Sequence, residues 1–175
     1  PRPMTHDEEA RLFSVLPDRF KSAVTVALHT GLRLGEIRAQ AWRDVDLDTA
    51  TLTVTAPKSG HREVLPLNTT AADLLRRLPK DGVVIFSGIP ADFSRMFARI
   101  ARAVNLDVTF HCLRDTFISR LAPHVSGPVL MQLARHRDFR TTRRYLKVDG
   151  EHLREAVERL TPDVLIQEAL QPSRA

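Results

Sequence analysis

The sequence predicts a mainly α-helical domain with a small antiparallel β-sheet, an α+β fold. Apolar residues recur at helical spacing through most of the chain, whereas two segments, 51–56 and 62–67, alternate as strands do. Between them lies Pro57-Lys58-Ser59-Gly60-His61, a sequence typical of a hairpin turn. With 175 residues, 43% of them apolar, the chain is long enough to bury a hydrophobic core. We therefore expect one domain over residues 1–175, with its core at 5–147 and tail helices at 148–170.

The helices are predicted from end signals and apolar spacing. Thr5-His6-Asp7-Glu8 is a capping box that opens the first helix. Gly31 follows an amphipathic stretch and marks the end of the second. The expected helices span 6–16, 19–30, 32–41, 69–78, 91–104, 109–123, 126–136, 139–147, 150–160 and 162–170, with a further short apolar strand at 83–86.

The charge balance favours a polyanionic partner. The net charge is +5, and 26 residues are Lys or Arg, of which only Lys21, Lys58, Lys80 and Lys147 are lysines. Arginine suits bidentate phosphate contacts, although genome base composition produces the same bias. Residues 95–147 hold eleven basic residues against three acids, whereas residues 148–175 hold six acids against three arginines. A charge run is often only a solvated face, but a basic body followed by an acidic amphipathic tail is typical of a polyanion-binding domain with a protein-binding tail.

Several other classes of function lack their signatures. The single Cys112 excludes an internal disulfide and fits a reducing compartment. No signal peptide or apolar run of membrane-spanning length occurs, so we expect a soluble cytoplasmic protein without membrane contact. The sequence has no HxxxH, HxH or Cys/His cluster, no G-x-S-x-G and no glycine-rich phosphate loop. We therefore expect no metal and no cofactor.

Tyr145 is the only tyrosine and a candidate nucleophile. It lies nine residues after His136, at the end of the arginine-rich stretch 133–145. A phenol has an unperturbed pKa of about 10 and needs a base or dense positive charge to lose its proton. Because positive charge is abundant here, the sequence indicates attack on an anionic group such as a phosphodiester.

Four more positions are candidates to complete phosphoryl transfer. Arg33 follows a helix stop, and Glu36 one turn later can hold its guanidinium, although the pair also fits an ordinary surface ion pair. Lys58 at the hairpin tip can donate a proton, but lysines in turns are usually only solvated.

His111 and Arg114 are expected to emerge beside the buried stripe of their helix and aim at one phosphate. A histidine at such a position is also often structural. The stripe is expected to consist of Phe110, Leu113, Phe117 and Leu121.

The order of these residues resembles the catalytic domain of tyrosine recombinases, the phage integrase family. Thr30-Gly31-Leu32-Arg33-Leu34-Gly35-Glu36 looks like the family's first arginine box, and Lys58 matches its hairpin lysine. His111-Cys112-Leu113-Arg114 matches the H-x-L-R box, and the stretch from Leu133 to Tyr145, with His136, matches the final L-G-H…Y box. The resemblance covers nearly all of residues 5–160 with the motifs in register.

Three positions depart from the family pattern. Arg135 stands where the family usually has glycine, Asp115 replaces a commonly basic residue, and Lys147 stands where a histidine often follows the tyrosine. The family's amino-terminal helical domain, which closes the clamp around DNA, is not found in this sequence. We therefore expect the chain to be a fragment of a longer protein.

The resemblance implies a tyrosine recombinase catalytic-domain fold and a site-specific recombinase of double-stranded DNA, encoded by a bacterium or phage. In that chemistry Tyr145 attacks the scissile phosphate and leaves a 3′-phosphotyrosyl DNA. Arg33 and Arg114 clamp the phosphate oxygens, and His136 donates a further hydrogen bond to them. His111 assists deprotonation of the phenol, Lys58 protonates the leaving 5′-oxygen, and Glu36 supports Arg33.

The resemblance also implies a homotetramer on DNA, joined through the tail. The apolar residues of the first tail helix are Leu153, Ala156, Val157 and Leu160. Three alternatives stay open. A type IB topoisomerase shares the fold and the chemistry. The second is a catalytically silent DNA-binding regulator, against which the six intact catalytic positions argue. The third is an RNA-binding basic module, which should show stacking aromatics, whereas only 6% of the residues are aromatic.

Overall fold

The computed structural model describes residues 2–55, 60–146 and 150–158. The chain divides into two compact units, residues 1–145 and residues 146–175. In the first unit the helices are α1 (His6–Val15), α2 (Asp18–Thr30), α3 (Leu34–Ala39), α4 (Thr69–Arg77), α5 (Phe93–Arg102), α6 (His111–Leu121), α7 (Gly127–Ala134) and α8 (Phe139–Arg143), and the strands are β1 (Val45–Asp46), β2 (Thr51–Thr55) and β3 (Arg62–Pro66). The second unit contributes α9 (Gly150–Glu158). The predicted mainly helical fold with a small antiparallel sheet is confirmed.

The ends of the first helices are set by local hydrogen bonds that can be predicted from the sequence. The Thr5 hydroxyl accepts from the Glu8 amide at 3.2 Å, while the Glu8 carboxylate accepts from the Thr5 amide at 3.0 Å, which is the predicted capping box of α1. Gly31 ends α2 in the left-handed conformation, with φ of 64°. Arg33 then caps α3 from extended backbone, so α3 begins at Leu34 and is shorter than the predicted 32–41.

The sheet has the order β1-β2-β3, and both pairings are antiparallel. Leu52 pairs with Val45 on one side and with Leu65 on the other, and the side chains of Leu52, Val54 and Leu65 are buried. The short strand β1 was not predicted. Residues 56–59 lie outside the described part of the chain, so the predicted position of Lys58 at the hairpin tip lies there too.

The strand predicted at 83–86 is wrong. Val84 makes only an isolated bridge with Ala41, supported by hydrogen bonds from the Trp42 amide to the Val83 carbonyl (3.1 Å) and from the Ile85 amide to the Gln40 carbonyl (2.9 Å). The chain turns immediately afterwards, since the Ile89 amide donates to the Phe86 carbonyl. A short apolar run therefore gave one bridge rather than a strand.

Helix α2 lies at the centre of the core and packs against α4 and α6. Phe20, at its start, belongs to a cluster of aromatic rings with Phe93, Phe97 and Phe110, whose neighbouring centroids lie 4.6–6.1 Å apart. This core holds the end of α2 against α6, and the candidate site is built at that junction. Among the residues placed by the structure, no helix is long and apolar enough to cross a membrane.

Candidate active site

Arg33 is held at the start of α3 by Glu36. The Arg33 amide donates to Glu36 Oε2 at 2.7 Å, and its Nη1 donates to Oε1 at 3.1 Å. The Glu36 carboxylate is only 10% exposed, whereas 48% of the Arg33 side chain is open to solvent. The expected ion pair is therefore present, and it leaves part of the guanidinium free to meet an anion.

The Arg114 side chain is buried against the rest of the fold and does not emerge along the flank of α6, as was expected. Only 2% of the residue is exposed, because nearly the whole circumference of α6 is buried, including Cys112 and Thr116. Its Nη1 donates to the Gly31 carbonyl at 2.7 Å, and its Nη2 donates to the Ala134 carbonyl. These two bonds join the ends of α2 and α7. Burial, together with the charges of Arg33 and Arg135, lowers the pKa of Arg114 to about 10, so the guanidinium remains charged at neutral pH.

His111 begins α6 and shares an open cleft with both arginines. The cleft has a volume of about 210 Å³ and is lined by Leu32, Arg33, Leu34, Ser94, Phe110, His111 and Arg114. Partial burial lowers the pKa of His111, and the charges of Arg114 and Arg33 act in the same direction against Asp115. A neutral imidazole has a free ring nitrogen that can accept a proton.

The α7–α8 connection positions His136 next to Tyr145. Arg135 ends α7 with left-handed backbone (φ 53°, ψ 47°), so His136 lies outside the helix that was predicted to include it. Its Nδ1 lies 2.9 Å from the Thr142 hydroxyl, and its ring stacks near the Tyr145 ring with centroids 6.2 Å apart. Burial and four nearby arginines, Arg114 first among them, lower the pKa of His136 to about 4. The ring is therefore neutral at neutral pH.

The Arg135 side chain is buried among acidic and backbone oxygens. Its Nη2 donates to Glu36 Oε2 at 2.6 Å, and its Nε lies 3.7 Å from a carboxylate oxygen of Glu63 on β3. Nη1 has no hydrogen-bond partner among the residues that the structure places. Burial lowers the pKa of Arg135, while the carboxylate of Glu36 opposes the shift. Glu36 is thus shared between Arg33 and Arg135.

Tyr145 lies in a turn after α8 and not in a helix extending to 147. Its amide donates to the Thr142 carbonyl at 3.0 Å. Its hydroxyl donates a hydrogen bond to Asp115 Oδ1, and the Arg144 guanidinium lies 5.9 Å from the centroid of its ring. Burial and the bond to Asp115 raise the pKa of Tyr145 to about 12, in spite of Arg144 and Arg114. Arg144 and Arg114 favour loss of the phenol proton, as the sequence predicts, but burial and Asp115 outweigh them in the unbound protein.

The structure brings together five of the six predicted site residues. Arg33, His111 and Arg114 line one cleft, and the charges of Arg33 and Arg114 reach His136, which contacts Tyr145. The sixth, Lys58, lies outside the described residues. Asp115, Arg135 and Thr142 were not predicted to be part of the site. Helical spacing could have identified Asp115, because it follows His111 by four residues and therefore lies on the same face of α6.

Comparison with known proteins identifies the family of this chain. The family model described as phage integrase family matches residues 2–152. The chain belongs to this family. It is 28% identical to tyrosine recombinase XerA of Pyrococcus furiosus over 91% of this chain and 62% of that protein. It is 30% identical to tyrosine recombinase XerC of Xanthomonas axonopodis pv. citri over 93% of this chain and 59% of that protein.

Solved structures establish the fold as that of tyrosine recombinase catalytic domains. The Tn1549 transposon integrase in complex with a circular intermediate DNA superposes with a TM-score of 0.77 at 22% identity, covering 91% of this chain and 66% of that one. The catalytic domain of bacteriophage HP1 integrase superposes with a TM-score of 0.74 at 22% identity, covering 90% of this chain and 94% of that one. This phage integrase family chain therefore spans roughly the length of an isolated catalytic domain and less than two thirds of the XerA and XerC relatives.

Proposed function

We propose that this chain is the catalytic domain of a site-specific recombinase that cuts and rejoins double-stranded DNA through a covalent 3′-phosphotyrosyl intermediate. The observation that carries the proposal is the junction of α2, α6 and α8. There the family's arginine, histidine and tyrosine positions converge, with two guanidinium groups lining a cleft near a phenol. Relatives named tyrosine recombinase XerA and XerC, and the DNA in the Tn1549 integrase complex, support such a substrate.

In the proposed reaction Arg33 and Arg114 bind the non-bridging oxygens of the scissile phosphate. Arg114 is fixed by carbonyls at two helix ends, so its charge is placed before the substrate arrives and need not reorganise during the reaction. Arg33 is more exposed, is held by Glu36 and supplies the second contact. His136, neutral and oriented by Thr142, is available to donate from its other ring nitrogen.

The covalent step exchanges one phosphodiester for another. The Tyr145 oxygen forms a bond to phosphorus while the bond from phosphorus to the 5′-oxygen breaks. The phenol proton passes to a base, for which His111 is our candidate, and the leaving 5′-oxygen takes a proton from Lys58. Because the phosphotyrosyl bond retains the energy of the original linkage, a second 5′-hydroxyl can reverse the step on a new strand.

We further propose that four copies assemble on paired DNA sites through the tail that follows Tyr145. In α9, Leu153 and Val157 are one helical turn apart and 58% and 64% exposed. An exposed apolar pair on an acidic helix is suited to a groove on another protein subunit rather than to DNA.

The decisive experiment is the capture of the covalent adduct. Labelled duplexes that carry a nick and a randomised central segment are incubated with the chain at low salt, and adducts are separated on denaturing gels. Wild type should form a protein–DNA band that protease digestion removes. Tyr145→Phe removes one oxygen and keeps the ring and every positive charge, so it should abolish the band while DNA binding stays nearly unchanged. An adduct at wild-type level in Tyr145→Phe, or none with any sequence in the pool for wild type, contradicts the proposal.

A further inference from the structure

Asp115 is an acidic residue in the middle of an otherwise basic site. It lies on α6 directly after Arg114, where the family pattern commonly has a basic residue, and it is only 5% exposed. Oδ1 accepts the hydrogen bond from the Tyr145 hydroxyl. Oδ2 is buried and has no hydrogen-bond partner among the residues placed by the structure. The hydrogen bond from Tyr145 therefore stabilises this buried carboxylate more than it would stabilise a carboxylate exposed to water.

The groups around the phenol come from two parts of the fold. Helix α6 contributes Asp115 and Arg114, and the segment from α7 to the turn after α8 contributes His136 and Arg144. The two arginines favour the phenolate. Asp115 disfavours it, because loss of the proton places two negative charges within hydrogen-bond distance of each other. Burial disfavours it as well, and the balance leaves the pKa of Tyr145 raised.

We propose that Asp115 is a positioning residue that holds the Tyr145 hydroxyl against α6 and at the same time restrains its reactivity by keeping it protonated. Only the effect on strand cleavage rests on the proposed function, since the hydrogen bond exists whether or not the chain cuts DNA. The carboxylate fixes the phenol oxygen on the helix that carries Arg114. The same contact slows strand cleavage relative to a site in which a neutral residue occupies position 115.

Two substitutions separate position from charge. Asp115→Asn keeps an oxygen that accepts from the hydroxyl but removes the negative charge. Asp115→Ala removes both the acceptor and the charge. Asp73→Asn is the matched control, because Asp73 carries an equal charge and makes an ion pair with Arg76 on α4. Far-UV circular dichroism and thermal unfolding check that each variant folds.

Because Tyr145 is the only tyrosine, its titration can be read directly. The chain is produced with a fluorinated tyrosine, whose more acidic phenol titrates where the protein stays folded, and ¹⁹F NMR follows its one tyrosine signal against pH. In wild type and Asp73→Asn the phenol should titrate above a fluorotyrosine peptide. In Asp115→Asn the midpoint should fall by at least about one pKa unit, which is about a tenfold gain in phenolate at neutral pH. If the phenol of the wild-type protein titrates at the same pH as the fluorotyrosine peptide, the proposal is overturned. This result does not depend on the variants being folded.

Adduct formation on the nicked DNA pool tests the consequence. Asp115→Asn should form the adduct several-fold faster than wild type near pH 7, whereas Asp115→Ala should gain less or become slower because the hydroxyl is no longer held. A slower Asp115→Asn overturns the proposal, since the carboxylate is then the base that accepts the phenol proton. If the titration shifts as expected while wild type forms no adduct, the proposed function fails and the holding of Tyr145 by Asp115 stands.

Discussion

Arg135 combines two unfavourable features at one residue. Its backbone is left-handed, which costs a non-glycine residue about 1 kcal/mol or more, and its side chain is 3% exposed with one nitrogen that has no hydrogen-bond partner within the described part of the chain. The family's glycine at this position avoids the first cost. What Arg135 contributes instead is a link from α7 to Glu36 in the first arginine box and to Glu63 on β3.

Replacing Arg135 with methionine should destabilise the protein through Glu36. The change keeps most of the volume but removes one of the two partners of a nearly buried carboxylate. Breaking a buried pair typically costs roughly 3–5 kcal/mol, and because Arg33 remains bonded to Glu36 we expect a loss of about 2 kcal/mol. Chemical unfolding measures the loss.

The attribution to Glu36 is tested by a double-mutant cycle. Glu36→Gln combined with Arg135→Met should recover about 1 kcal/mol relative to the sum of the single changes. Arg137→Met is the matched control on an exposed neighbour and should stay within about 0.5 kcal/mol of wild type. Strict additivity of the two changes would show that Arg135 acts by packing alone.

At the same scale, the sequence predicts which residues form the candidate site but not the environment of each one. The family resemblance depends on the order of five residues along the chain, which can be read directly from the sequence: Arg33, His111, Arg114, His136 and Tyr145. The burial of Arg114 was missed because apolar spacing cannot show that carbonyls from two other helix ends reach it. The protonated state of Tyr145 was missed because the bond to Asp115 spans thirty residues of sequence.

Among the elements, the junction of α2 with α6 depends on Gly31. Its φ is 64°, and a Cβ built there would lie 2.5 Å from Cδ1 of Phe117. Its carbonyl accepts the hydrogen bond from Arg114. Only a residue without a side chain lets the end of α2 approach α6 closely enough to make that bond.

Gly31→Ala should therefore lower stability and impair the site together. The left-handed backbone costs about 1 kcal/mol, and the clash with Phe117 adds roughly 1–3 kcal/mol. Gly35→Ala is the matched control, because Gly35 lies within α3 and a Cβ there meets nothing within 4 Å. It should stabilise the chain by about 0.5–1 kcal/mol. Thermal unfolding of the two variants decides the matter, and a Gly31→Ala protein as stable as wild type contradicts this account.

Element boundaries were predicted where local chemistry sets them. The capping box of α1 and the glycine end of α2 are local signals, and both helices begin and end within a residue of expectation. Helix α8 ends at Arg143, and residues 83–86 form one bridge rather than a strand. Both errors arose because helical spacing and apolar runs do not record where tertiary contacts stop an element.

At the scale of the whole molecule, the boundary between the two compact units falls directly after the candidate nucleophile, at Leu146. The buried core residues in the described ranges belong to the first unit. The second unit carries the exposed pair Leu153 and Val157, while the predicted helix at 162–170 lies outside the described residues. Folding of the body and association of copies are thus expected to depend on different parts of the chain.

Ending the chain after Lys147 should leave the body folded but prevent assembly on DNA. The body loses none of its buried core residues, so its thermal midpoint should change by no more than a few degrees. On DNA that carries two sites, native mass spectrometry or gel mobility should find complexes with single bound copies. No strand exchange between the sites should occur. Leu153→Glu with Val157→Glu in the full chain should reproduce the defect, because two charges on the apolar face oppose its burial against a neighbour. Arg154→Ala with Glu155→Ala changes the other side of α9 and should not. Normal assembly and recombination by the truncated chain would show that the tail has no such role.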